Sequence, residues 1–302
     1  MIVPNSSISA QKMLPVQNII TTNKLAWISN YSWRPAKLFE GADMLLAIIL
    51  TVDSENPLTY ATQYKKWYNE FRPYLFKTTS YYNVSETKIS GSIPKIASDT
   101  CFSIISKQMS ISGNSHLSNS FLEKSQFYLY YFRAVQYWFK ILTEEPIYDE
   151  DGEHKVTGEM KPIFTDSKIS RDILVSLLSS TTYFLHYLIW SSCQVVNSRD
   201  FNLYFDFSKL SRDNRSKLAA LGETLQKDYQ ANSHIKERNY SKKGRSFTMR
   251  KQHFFIKYSK PIIDEIDTVL AHHYGFTEEE LDFIINYDIK YRMGDELNNS
   301  EE

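Results

Sequence analysis

Two apolar runs near the N-terminus, residues 25–31 and 44–52, bracket the segment Ser32-Trp33-Arg34-Pro35-Ala36-Lys37-Leu38-Phe39-Glu40-Gly41-Ala42-Asp43. Both runs have the length and side-chain types of strands, so a strand–loop–strand unit is set within the first fifty residues. One other strand candidate precedes it, Ile2-Val3-Pro4, ended by Pro4 and the cap-like Asn5-Ser6-Ser7. Between them Met13, Val16, Ile19 and Ile20 fall at helix spacing. A sheet is not built from so little, so the segment reads as the closing part of an α/β sheet. Residues 44–52 are apolar at successive positions, which predicts a strand covered on both faces.

The loop carries an unusual cargo for a crossover. Arg34 offers a planar donor fork and Lys37 a point charge, and both suit phosphate contact. Phe39, beside Glu40-Gly41, sits where an aromatic ring can stack on a ligand. A salt-bridged crossover, with Leu38 and Phe39 plugging the core, accounts for the same residues.

Thirty-five Lys and Arg balance thirty-five Asp and Glu, so any nucleic-acid surface must come from local segregation of charge. Cys101 and Cys193 stand far apart without a Cys-x-x-Cys pair, which implies a reducing compartment and no metal knuckle. With no leader visible, a cytoplasmic location is expected. Residues 173–197 are uncharged, yet eight Ser, Thr and His residues dilute them, including Ser176, Thr181, Thr182 and His186. A buried helix over residues 169–190 is expected there, and no membrane partner.

Asp53-Ser54-Glu55-Asn56-Pro57 breaks the pattern and divides the chain into domains 1–56 and 57–302. Beyond it, residues 58–76 begin as a helix, and a further helix runs from Ser92 through Met109. Residues 126–134 and 136–142 are strands, 144–159 an acidic exposed excursion, and 201–207 a short strand. Helices follow over 209–230, 247–273 and 278–287, with a basic loop over 236–245.

Three further constellations suit nucleic acid. If the aromatic strands that carry Tyr131, Arg133, Trp138 and Lys140 pair, alternation places subsets of their aromatics and cations on one face, and Arg133 and Lys140 suit phosphates or guanine edges. A tyrosine-rich core with peripheral cations explains the same letters. Asn197 and Arg199 have the chemistry to read adenine and guanine, although an Asn after a helix is more often a cap. Lys236, Arg238, Lys242, Lys243, Arg245, Arg250 and Lys251 are opposed by Glu237 alone, and a solvated loop is the alternative to a phosphate-binding one.

Trp27-Ile28-Ser29-Asn30-Tyr31, followed by Arg34-Pro35-Ala36-Lys37-Leu38-Phe39-Glu40-Gly41-Ala42 and an apolar strand, resembles adenine-N6 DNA methyltransferases of restriction–modification systems. In that group a methylase domain precedes a DNA target-recognition domain. Met1-Ile2-Val3-Pro4-Asn5-Ser6 resembles the strand after the catalytic motif there. Ser259-Lys260-Pro261-Ile262-Ile263-Asp264-Glu265-Ile266-Asp267 and the stretch from His273 to Met293 resemble its C-terminal region.

The resemblance implies the fold class: α/β, an incomplete Rossmann-like methyltransferase sheet over 1–56, then an α+β target-recognition domain with a helical C-terminal part. It places Phe39 against a flipped target adenine, since the exocyclic amine is not reached within the stacked duplex. It favours double-stranded DNA as the partner of Arg34, Lys37, Tyr131, Arg133, Trp138, Lys140, Asn197, Arg199, Lys242, Lys243 and Arg245. No aromatic follows a Pro-Pro pair in the chain, and a glycine-bearing cofactor loop is missing from it. S-adenosylmethionine and the catalytic motif are therefore expected on an N-terminal methyltransferase polypeptide, with this chain choosing the site and inactive alone. A non-catalytic interaction protein or an inactive remnant is the alternative.

Overall fold

A computed structural model describes residues 1–87, 92–242 and 244–294. The protein is mixed α and β with three small sheets. By contacts it divides into two units: Met1–Ser106 with Leu185–Val196 and Asp288–Glu302, and Lys107–Phe184 with Asn197–Tyr287.

The first unit is built on a five-stranded sheet: β1 (Ile2–Pro4), β2 (Lys24–Tyr31), β3 (Leu46–Asp53), β4 (Thr59–Lys65) and β5 (Tyr82–Asn83), in the order β1-β3-β2-β4-β5. β3 runs antiparallel to both β1 and β2, and β4 lies parallel to β2. Thus β1, β2 and β4 share one direction, with β3 reversed between the first two. The sheet continues past Pro57, because residues 59–65, expected as helix, form β4 beside β2.

Helices α1 (Ser6–Ser9) and α2 (Leu14–Thr21) follow β1, and Pro15 enters in the first turn of α2, where its missing N–H costs nothing. Ala26, Ile28, Ala47 and Ile49 share one buried face by register, and α2 contacts β2. The opposite face is covered only at its Tyr31 and Leu46 end, by a cluster that includes Leu38 and Trp67. Leu50 and Val52 are 60% and 53% exposed, which corrects the expectation of a strand covered on both sides. By register Ile2, Ile48, Leu50 and Val52 share that face with Trp27, whose ring stacks on Tyr60.

In the second unit, β6 (Phe127–Phe132), β7 (Ile141–Leu142) and β10 (Met160–Thr165) form one antiparallel sheet. A second sheet joins β8 (Tyr148–Glu150), β9 (Glu153–His154), β11 (Ser233–Lys242) and β12 (Arg245–Phe254) in the order β11-β12-β8-β9. Helix α3 (Asp99–Ser112) begins later than its Ser92 start signal. The run expected as one buried helix is two, α4 (Lys168–Ser179) and α5 (Thr181–Trp190).

The break falls at Ser180, whose hydroxyl donates to the Leu177 carbonyl at 2.7 Å and accepts the Tyr183 N–H at 3.0 Å. Buried Asp267 caps the new start, accepting the backbone N–H groups of Thr181 and Thr182 at 2.9 Å each. No described helix is long and apolar enough to cross a membrane.

Helices α6 (Arg212–Ala231) and α8 (Glu278–Ile285) lie close to the expected helices 209–230 and 278–287, whereas α7 (Lys260–Tyr274) starts well after the expected residue 247. Ser211 caps α6, and Thr277 with Glu280 forms a capping box on α8. α7 ends at Gly275, in the left-handed region at φ 66°. α9 (Ile289–Arg292) closes the described chain. α6 meets α4 at Gly222, where a Cβ would stand 2.1 Å from the Asp172 carbonyl oxygen, so no other residue fits.

Candidate functional site

The loop after β2 is anchored at several points. Ser32 N–H donates to the Lys65 carbonyl at 2.8 Å and Ala36 N–H to the Trp67 carbonyl at 3.1 Å. Arg72 donates to the carbonyls of Lys37 and Leu38 at 2.7 and 2.6 Å. Ala36 and Leu38 close a core cluster with Tyr31, Leu46, Trp67 and Leu75.

The two readings of the loop divide between neighbours. Leu38 plugs the core at 5% exposure, whereas Phe39 is 40% exposed. Arg34 is exposed and lies over the Trp33 ring, 4.2 Å from its centroid, a cation–π contact. Lys37 pairs with Asp43. The helical turn that carries Arg72, Asn69–Tyr74, brings further aromatics to this region, with Phe71, Tyr74 and Phe76 all more than half exposed.

The loop springs from the carboxyl end of β2. Asn5 leaves the carboxyl end of β1, which points the same way, and its N–H bonds the Leu45 carbonyl at 2.9 Å, just before β3. Carboxyl ends of parallel strands are where open α/β sheets bind ligands. Asn5 is 1% exposed, yet among the described residues neither end of its side-chain amide has a hydrogen-bond partner. The residue read as a cap makes no capping bond. Such a group needs an explanation, because desolvating an amide without replacing its hydrogen bonds is costly. An Asn directly after a strand-ending Pro was the only sequence signal for it.

In the second unit the aromatic pair of strands is not realised. Only Ile141 and Leu142 of residues 136–142 join the sheet, while Tyr137 and Phe139 are core residues, Phe139 lying against Tyr183 at 4.6 Å. Tyr131 faces the side of buried Leu129 and packs edge-on against Phe201 at 4.8 Å. Burial raises its pKa. Arg133 follows β6, its N–H bonding the Glu159 carbonyl, and Trp138 lies half-buried in the bend before β7. These positions therefore do not line one face with Lys140.

Lys140 sits 4.3 Å from the Phe132 ring centroid and 5.7 Å from that of Phe254, at the root of β12. Burial, reinforced by the Lys251 charge, pushes its ammonium down to about 8.

Asn197 and Arg199 fall in a short helical turn, Ser198–Phe201, which replaces part of the expected strand. Asn197 is its N-cap in a reciprocal box with Asp200, and Arg199 is half-buried beside that carboxylate. The structure thus gives Asn197 a capping task, in a turn whose Phe201 packs against Tyr131.

The largest correction concerns the basic segment. Residues 236–245 are not a loop, and residues 247–254 are not helix. They form a ten-pair antiparallel hairpin, β11 with β12, from Ser233↔Phe254 to Lys242↔Arg245. Gly244, at φ 79°, supplies the turn. The acidic excursion packs along it, with β8 pairing to Met249, Arg250 and Lys251. Lys242 and Arg245 are placed here as backbone positions only, and Lys243 lies outside the described residues. No known family model and no curated protein matches the chain.

Proposed function

We propose that this protein is the target-recognition portion of an adenine-N6 DNA methyltransferase, contributing the closing strands of the methylase sheet. The observation that carries this reading is the unfinished side of that sheet. β1 pairs with only the start of β3, its outer edge has no strand beside it among the described residues, and Ile2, Leu50 and Val52 are each more than half exposed. An apolar face and an open strand edge of this kind call for cover by another segment.

The strand directions agree with the reading, since doubly wound sheets often carry an antiparallel strand near one edge of a parallel set. The cofactor loop and catalytic motif that the chain lacks belong to the covering segment, which would hold S-adenosylmethionine and supply the methyl group. This chain would bind duplex DNA, and exposed Phe39 would stack on the flipped adenine at the carboxyl end of β2. Arg34 and Lys37 would hold backbone phosphates beside it.

The same bare face also fits a non-catalytic docking protein. Co-expression with a polypeptide bearing the cofactor loop and an Asn-Pro-Pro-aromatic motif separates the two readings. N6-methyladenine in plasmid DNA is expected with both chains and with neither alone. Its absence with both present, despite a stable complex, leaves the docking protein. Phe39→Ala is expected to lower methylation in the pair while sparing DNA affinity, and unchanged methylation removes the assigned role.

A further inference from the structure

We propose that the β11–β12 ribbon is a duplex-DNA reader that lies in the major groove, with one cationic face against the phosphates and base edges. The inference rests on the duplex-binding part of the function proposed above and not on methyl transfer.

Register decides the face. Directly paired residues of an antiparallel ribbon point to the same side, and alternate residues share it. His234, Lys236, Arg238 and Tyr240 of β11 therefore lie with His253, Lys251, Met249 and Phe247 of β12. By register Lys242 and Arg245 are the next pair in that series. These two strands place no acid on that side. The acids that share it, Glu150 and Glu153, stand on β8 and β9 beyond Met249. The other side carries Glu237 and Arg250, with Asp149 beside Arg250.

The ribbon also projects. β8 pairs only with Met249, Arg250 and Lys251, and Asp151 bonds Thr248 through backbone and side chain. From Tyr240↔Phe247 outward no further strand flanks it among the described residues. The Tyr240 and Phe247 rings stack across the strands at 5.7 Å and 18°, stiffening the tip and offering apolar surface of the kind thymine methyls meet.

Ten residues at about 3.3 Å each give a ribbon on the order of 33 Å, close to one turn of B-form DNA, with its outer end from Tyr240↔Phe247 clear of β8. A major groove about 12 Å wide admits such a ribbon, and the deep, narrow major groove of A-form RNA does not.

Charge is complementary to this partner. Residues 233–254 hold seven Lys and Arg against Glu237 alone, so the remaining chain holds twenty-eight against thirty-four acids. Net neutrality thus hides a segregated arm that focuses a polyanion to one place. The root of the ribbon registers the same field. Burial, together with Lys251, Lys140, His234 and Lys236, holds the His253 imidazole down at about 4.

The test measures anisotropy of a fluorescein-labelled, randomised 40-bp duplex between 50 and 200 mM KCl. The variant K236T/R238T/K251T keeps strand-forming residues, and K236R/K251R keeps the charge. A control removes Lys12, Lys77 and Lys209. Losing three phosphate contacts should lower the slope of log affinity against log salt by about 2.7 and weaken binding at least about tenfold at low salt. The charge-preserving variant and the control should bind as the parent does, and circular dichroism verifies that each variant is folded.

Parent-like affinity and slope in K236T/R238T/K251T overturn the ribbon assignment while leaving DNA recognition standing. No duplex binding by the parent overturns both. Equal affinity for a 40-bp RNA duplex, or tighter binding to phosphatidylserine vesicles than to DNA, overturns the groove.

Discussion

Leu38 and Phe39 are adjacent in sequence and opposite in environment, which makes their truncations a direct test of how the loop is built. Leu38→Ala empties a position in the cluster closed by Tyr31, Trp67 and Leu75. Buried Leu truncations cost about 2–5 kcal/mol, because a residual cavity adds to the lost transfer energy. A fully buried Phe side chain is worth roughly 1.5–3 kcal/mol of transfer. With Phe39 already 40% exposed, its truncation has a ceiling of roughly 1–2 kcal/mol and leaves no closed cavity. Leu38→Ala should therefore cost about twice as much as Phe39→Ala or more. Urea unfolding followed by tryptophan fluorescence reads both, with Trp33 and Trp67 reporting from the loop and the cluster beneath it. A loss for Phe39→Ala equal to that for Leu38→Ala would place the ring in the core. That result would end its assignment to an exposed position on the loop.

Arg72→Ala removes two charge-assisted bonds to the Lys37 and Leu38 carbonyls, so about 1–3 kcal/mol of stability should go. Amide exchange over residues 37–42 should speed up with it, and unchanged protection would show that the turn does not hold the loop. Asn5→Leu should leave the isolated chain as stable or more stable, because it removes an amide with no partner at either end. A loss above about 1 kcal/mol in thermal unfolding would mean that the amide is satisfied. For His253 the folded value near 4 lies below the ordinary 6.5, so the unfolded chain binds more protons between them. Stability should rise from pH 4 to 6.5, and His253→Gln should flatten part of that rise in a series of melting curves. An unaltered slope would show that the imidazole is not held neutral.

Elements whose side chains are made for burial were legible in the sequence. β2 and β3 stand within two residues of the apolar runs that announce them, and α6 and α8 lie within about three residues of the expected helices 209–230 and 278–287. Where the reading failed, a tertiary partner overrode a local pattern. Aromatics of residues 58–65 looked amphipathic, yet β2 offered a parallel edge and took them as β4. The apolar run over residues 169–190 concealed a break because Ser180 bonds to both flanking turns and Asp267 reaches the new helix start from far along the chain. Covering of β3 could not be read at all, since apolar letters are the same whether the cover is present or is still to be supplied.

The candidate binding elements were hardest to read for a related reason. Period-two alternation is visible only when one face of a strand is buried, and β11–β12 is polar on both. Lys236, Arg238 and Tyr240 therefore read as a basic loop and Lys251 as part of a helix, although their register unites them on one face. The reverse error befell Tyr131, whose aromatic neighbours suggested a surface, while the fold turned it onto Phe201. A cation that serves a ligand and one that merely solubilises a loop are identical as letters. They separate only when pairing shows which charges stand together and which acids stand apart. On that criterion the ribbon is the strongest cationic element of the described chain.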